Sequence, residues 1–259
     1  MTTTAQATAA PALRLTGLTR RFGDTTAVDA TDLTVPAGSF FGLVGPNGAG
    51  KTTMLSMAVG LLRPDAGTAE IFGADVWREP IAAKRLVGVL PDSLAMTERL
   101  TGREMLTYLG RLHGLSTRTV EERVDELLTV LDLDHADRTL IVGYSAGMRK
   151  KIGLATALLA APRLLVLDEP FEAVDPVSAQ TIRSILRRFV AAGGSVVLSS
   201  HMMALVEQLC DTVAVMNRGR VVAAGPIDVV RAGRSLDDAF LELVGARTVG
   251  EEELSWLAS

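Results

Sequence analysis

The apolar run Phe40-Phe41-Gly42-Leu43-Val44 stops at a glycine, and GPNGAGKT, residues 45–52, leads from there into an apolar stretch from about Thr52 to Leu62. The order is buried strand, glycine-rich turn, helix. The spacing fits G-x-x-x-x-G-K-[ST] in the strand-to-helix context that makes such a motif a phosphate loop. Glycines let the backbone wrap closely around phosphates, while successive N–H groups and the helix N-terminus supply partial positive charge. Lys51 then reaches β- and γ-phosphates, and the Thr52 hydroxyl can ligate Mg²⁺.

A second strand ends in unusual chemistry. Leu164, Leu165, Val166 and Leu167 show no period-two polarity, as expected of a strand buried on both faces, and the run finishes in Asp168 and Glu169. Adjacent carboxylates at such an edge call for a cation or a proton to accept. The alternative is a helix N-terminus, where acidic residues complement the macrodipole. Beside the phosphate loop, Asp168 at the end of a neighbouring strand suits the metal, which leaves Glu169 free as a base toward an attacking water. The reaction class is phosphoryl transfer to water.

Between and beyond these runs, strand and helix alternate. "ALRLTGLTRRF", "ATDLTV", "GTAEIFG" and "RLVGVL" read as strands, residues 102–160 as almost wholly helical, and a helix follows from about Pro176 to Ala192. "GSVVLSS", a helix after His201, "TVAVMNRGRVVAAG" and an amphipathic "LDDAFLELVG" complete the chain. Val120, Val124, Leu127, Leu128 and Leu131 recur at helical spacing and read as core. The alternation argues a mostly parallel sheet covered by helices.

Bulk properties narrow the function classes. The chain has 26 basic and 30 acidic residues, a net charge of −4, so no global feature points to nucleic acid and any anion site is local. The single cysteine, Cys210, rules out an internal disulfide and suits a small buried hydrophobe in a reducing compartment. The N-terminal stretch lacks the basic and apolar regions of a secretory signal. The greasiest segment, "IGLATALLAAPRLLVL", is broken by Pro162 and Arg163, short of the roughly 18 apolar residues of a spanning helix.

From Leu13 to Val244 the chain resembles the ATP-binding subunits of ABC transporters. "GPNGAGKTT" resembles the family's Walker A, "LLVLDEP" its Walker B with the catalytic glutamate, and "YSAGMRKK" (144–151) stands in the place of the signature sequence. The resemblance implies an α/β P-loop NTPase core with a mostly parallel sheet, an N-terminal antiparallel β subdomain and an inserted helical subdomain over about 93–160. It gives one ATPase domain over 12–245, a flexible tail at 1–11 and a C-terminal extension at 246–259.

The site residues carried over are Gly45, Pro46, Asn47, Gly48, Ala49, Gly50, Lys51, Thr52 and Thr53 on the phosphates, with Phe22 stacking on the adenine and Val28 also at the nucleotide. Thr52, Asp168 and Asp92 fall to Mg²⁺, Glu169, His201 and Lys51 to catalysis, and Ser145, Gly147 and Asp175 to the nucleotide and surface of an opposite subunit. Ser145 and Gly147 at a helix N-terminus offer a hydroxyl and bare N–H groups to an anion. The alternatives are an ordinary Ser145 N-cap with surface Arg149, Lys150 and Lys151, a structural His201, a core Phe22 and a capping Asp175. Three departures from the family pattern stand out: Tyr144, Ala146 and Met148 in the signature, Phe171 to Val174 before Asp175, and Asp92 where the family has a glutamine.

These features imply a Mg²⁺-dependent ATPase that pairs with an identical or different cassette around two ATP and drives a separate transmembrane permease at the cytoplasmic face of the plasma membrane. "RLTGREML" and "YSAGMRKK" look most like drug, antibiotic or lipid exporter subunits, contacting the permease near Asp92 and the helices around 94–130. The rivals are a nucleotide-gated clamp without a membrane partner and a degenerate cassette that binds ATP with little turnover.

Overall fold

The computed structural model describes residues 10–92 and 97–245. The chain ends 1–9 and 246–259, and residues 93–96 at the head of the expected helical insertion, lie outside the described residues.

In chain order, the elements begin with strands β1 (Leu13–Phe22), β2 (Thr25–Val35) and β3 (Phe40–Val44), then helix α1 (Lys51–Ala58). Next come β4 (Ala66–Ile71), β5 (Ala74–Asp75), α2 (Pro80–Leu86) and β6 (Val87–Leu90). A helical stretch holds α3 (Gly102–Leu112), α4 (Thr117–Val130) and α5 (Ala146–Leu159), with two short 3₁₀ turns between α4 and α5. The last part runs β7 (Leu164–Leu167), α6 (Pro176–Ala191), β8 (Ser195–Ser200), α7 (Met203–Leu209), β9 (Thr212–Asn217), β10 (Arg220–Pro226), α8 (Ile227–Arg231) and α9 (Leu236–Val244).

The helix starts follow from their caps. Thr101 and Glu104 form a capping box on α3, and Ser116, Ser145, Asp175 and Ser235 cap α4, α5, α6 and α9. Helix α1 is shorter than its apolar sequence suggests. It stops at Ala58 because Gly60 turns left-handed (φ 78°) and the N–H groups of Leu61 and Leu62 fold back to the Ser56 carbonyl. "RLVGVL" divides too: Arg85 and Leu86 end α2, a helix with no clear sequence signal, and the strand begins at Val87.

Two sheets result. The order in one is β2-β1-β4-β5, all antiparallel; the other runs β10-β9-β3-β8-β7-β6, parallel except for the β9–β10 hairpin. Along β3 the side chains alternate between two cores. Phe40 and Val44 join the helices α3 to α7, while Phe41 and Leu43 join α1 and the antiparallel sheet. Strand β7 splits likewise, Leu165 and Leu167 against Leu164 and Val166, so the strands carrying the chemistry are clamped on both faces. Helix α5 lies hard on β6: a Cβ added at Gly88 would be 2.0 Å from the Ala157 carbonyl oxygen.

Strand β8 lies between β3 and β7. Asp168 therefore arises from the strand next but one to the phosphate loop rather than from its neighbour, and the C-terminal edges of β3, β8, β7 and β6 together set out the site.

Candidate active site

The loop after β3 is already shaped for an anion. Gly48 and Gly50 have φ of 77° and 102°, and a Cβ at Gly50 would lie 2.2 Å from the Ala27 carbonyl oxygen, so the turn closes only with glycine there. Lys51 is 7% exposed and folds back on its own loop, its Nζ donating to the carbonyls of Gly45 at 2.7 Å and Pro46 at 3.4 Å.

A cavity of about 590 Å³ opens over this loop. Asn47, Gly48, Ala49, Gly50, Lys51, Thr52 and Thr53 line it, with Phe22, Asp92, Glu169 and His201 around them. Phe22 is not a core residue. It is 49% exposed, with the Arg20 guanidinium 4.9 Å from its ring centroid, and it lines the cavity. Val28 does not reach the cavity: strand alternation turns it fully into the core, and Ala27 lines the wall instead. Gly45 and Pro46 form the base of the loop and supply the carbonyls that hold Lys51.

Asp168 and Glu169 face different ways. Asp168 is 5% exposed and accepts a 2.5 Å hydrogen bond at Oδ1 from Ser199 Oγ. Glu169 has a φ of 47°, a left-handed state costing about 1 kcal/mol for a residue other than glycine. Its N–H donates to the same Ser199 oxygen at 2.9 Å, its carbonyl accepts from Lys150 Nζ at 2.9 Å, and its Oε2 lies 3.1 Å from His201 Nδ1. Parallel pairing sets Leu167 opposite Leu198, so Asp168 and Ser199, one residue on, meet at the sheet edge.

Thr52, Asp92 and Asp168 share the wall of an adjoining cavity of about 440 Å³. One hydroxyl and two carboxylates are hard oxygen donors of the kind Mg²⁺ takes alongside water and phosphate, so these residues fit that ion. Asp92 also faces a cation, with Lys150 Nζ 3.6 Å from its Oδ1.

Ser145, Gly147 and Asp175 form a separate group that lines none of their own chain's cavity over the phosphate loop. Ser145 Oγ caps α5 through the Met148 N–H at 3.2 Å, and Asp175 Oδ1 caps α6 through the N–H groups of Val177 and Ser178 at 3.0 Å. The Ser178 N–H, then the Ser178 hydroxyl, hold the Asp175 carboxyl below the usual range. A Cβ on Gly147 would come 2.8 Å from Asp175 Oδ2, so the starts of α5 and α6 pack closely. Two of the three cations after Gly147 are not surface groups. Lys151 is 4% exposed and pairs with Asp132 at 3.7 Å, and the Lys150 side chain is 15% exposed. Ser199 and Lys150 had no sequence signal of their own, since their partners come from other strands.

A family model described as ABC transporter matches residues 28–172. The chain is 39% identical over 242 residues to the daunorubicin/doxorubicin resistance ATP-binding protein DrrA of Streptomyces peucetius, covering 93% of this chain and 73% of that protein. It is 37% identical over 214 residues to the Nod factor export ATP-binding protein I of Rhizobium sp. (strain N33), covering 83% and 70%. Among solved structures, an ATP-binding subunit of an ABC transporter superposes with a TM-score of 0.83 at 30% identity, over 89% of this chain and 98% of that one. A nucleotide-free ATP-binding cassette from an ABC transporter, at 24% identity and TM-score 0.76 over 89% and 98%, shares the fold. The chain belongs to the ABC transporter family, as one of its ATP-hydrolysing ATP-binding domains.

Proposed function

We propose that this ATPase pairs with a second cassette, identical or not, around two ATP, and powers a separate permease that exports its substrate. The observation that carries the catalytic reading is the Glu169–His201 contact of 3.1 Å in the cavity over the Lys51 loop. Phe22 stacks on the adenine. The backbone of residues 45–53 and Lys51 bind the phosphates, Lys51 exchanging its carbonyl partners for phosphate oxygens. Glu169, with its side chain 14% exposed, takes the proton of the attacking water, and His201 orients Glu169 and the γ-phosphate. Thr52, Asp168 and Asp92 would hold Mg²⁺, which would neutralise charge on the phosphates.

The position of Ser145, Gly147 and Asp175 outside their own chain's cavity supports action on nucleotide held by the partner cassette. The relatives named for daunorubicin resistance and Nod factor export support an exporter. Among the described residues no helix is long and apolar enough to cross a membrane, which supports a permease on another polypeptide. Tyr108 and Leu112, 58% and 65% exposed on α3, suit the permease contact.

The test is Glu169→Gln. The amide still orients water but accepts no proton, so ATP binding persists, hydrolysis falls by a factor of about 100 or more, and an ATP-bound dimer accumulates in size-exclusion chromatography. Wild-type turnover in this variant refutes the reading.

A further inference from the structure

Glu169 keeps a left-handed backbone that a glutamate does not adopt by preference, so its neighbours hold it there. Ser199 holds the N–H from β8. The carbonyl is held from another part of the molecule, by Lys150 on α5. The Lys150 side chain is 15% exposed, and a cation that far withdrawn from solvent is poorly compensated by a lone carbonyl. Asp92 Oδ1, 3.6 Å away, supplies the countercharge.

We propose that Lys150 is a positioning residue for ATP hydrolysis: it seats the Glu169 peptide, and Asp92 is its electrostatic partner. The inference rests on Glu169 as the base. It also accounts for the departure at Asp92, because a neutral glutamine there leaves the ammonium without a countercharge. Lys150 stands five residues beyond the cap Ser145 on one helix, about 7.5 Å along its axis. The end of α5 that faces the partner cassette and the residue that aims the base are thus parts of one rigid rod. A cavity of about 290 Å³, lined by Leu90, Pro91, Ala146 and Glu172 among others, flanks Lys150 and leaves room for water when the side chain is shortened.

The experiment compares steady-state hydrolysis of Mg-ATP and binding of a fluorescent ATP analogue in the full chain and in Lys150→Met, Lys150→Arg and Glu169→Gln. Thermal midpoint and analogue stoichiometry report the folded fraction. Lys150→Met keeps most of the side chain's length and loses the donor: kcat falls about tenfold or more while KM and analogue affinity stay within about twofold. Lys150→Arg, which keeps a cationic donor, recovers at least about a third of kcat, a rescue that a packing role would not give to the bulkier residue. Wild-type kcat in Lys150→Met beside an inactive Glu169→Gln overturns the inference and leaves the base in place. Turnover surviving in Glu169→Gln overturns the base itself. If Lys150→Met does not fold, Lys150→Ala, which also loses the donor and the charge, gives the same decision, a severalfold loss of kcat at constant KM supporting the inference and an unchanged kcat overturning it.

Discussion

Ser199→Ala removes one oxygen and two hydrogen bonds, both from the centre of the site. The serine is fully buried on β8, donates to Asp168 Oδ1 at 2.5 Å and accepts from the Glu169 N–H at 2.9 Å. The variant leaves a carboxylate oxygen and an amide that have each lost their partner. Each loss costs about 1–3 kcal/mol, the one to the charged group toward the upper end, and entry of water returns part, so the net is about 2–4 kcal/mol. For a domain of this size that lowers the thermal midpoint by roughly 5–15 °C. Ser195→Ala is the control: it lies on the same strand, is as fully buried, and makes a single uncharged contact, accepting from the Gly38 N–H at 2.8 Å. It should cost about 1 kcal/mol and leave hydrolysis unchanged. Denaturant unfolding followed by circular dichroism without nucleotide gives the stabilities, and ATP turnover gives the function, expected to fall about tenfold in Ser199→Ala alone. Equal stability losses in the two variants, or wild-type turnover in Ser199→Ala, would refute the reasoning.

Asp175 has its carboxyl held below the usual range by the Ser178 N–H first and the Ser178 hydroxyl second. That stabilisation is full above about pH 4, where the carboxyl is ionised even in the unfolded chain, and is lost as pH falls through the lower folded value. The stability advantage of wild type over Asp175→Asn should therefore hold from pH 7 to about 4 and shrink below it in unfolding curves; a gap independent of pH contradicts this. Cys210 has its thiol pushed far up by burial, and further by the charge of Asp211, so it stays protonated at neutral pH. A maleimide reagent should label the folded chain negligibly and the denatured chain one-to-one by mass spectrometry; rapid labelling of the folded chain refutes the burial.

Much of the fold and part of the candidate site could be read in the sequence, for local reasons. The phosphate loop carries its own geometry in its glycines, and the run Leu164–Leu167 announces a strand buried on both faces because no polar residue interrupts it. The parts that depend on strand order were not legible. Nothing in residues 164–201 says that β8 inserts between β3 and β7, so the meeting of Ser199 with Asp168 and Glu169 emerges only from the register that sets Leu167 opposite Leu198. The burial of Lys151 and the partial burial of Lys150 are hidden for a related reason. Two cations after a helix start read as a solvated face until Asp92, Asp132 and the Glu169 carbonyl are brought to them by distant turns of chain. Helix α2 leaves no periodic signal because its seven residues are too few to show one.

The contact between Gly88 and the Ala157 carbonyl oxygen gives the molecule a mechanical character. Where most helices ride on a sheet through a layer of side chains that can change rotamer, α5 here meets β6 backbone to backbone at that point. The joint behaves as a bearing rather than a spring. A push on α5 from the helices packed against it meets no side-chain layer at that point, so it should bear directly on the strand. Asp92 follows Gly88 by four residues in the chain, so a displacement of α5 should be felt at the acidic edge of the sheet.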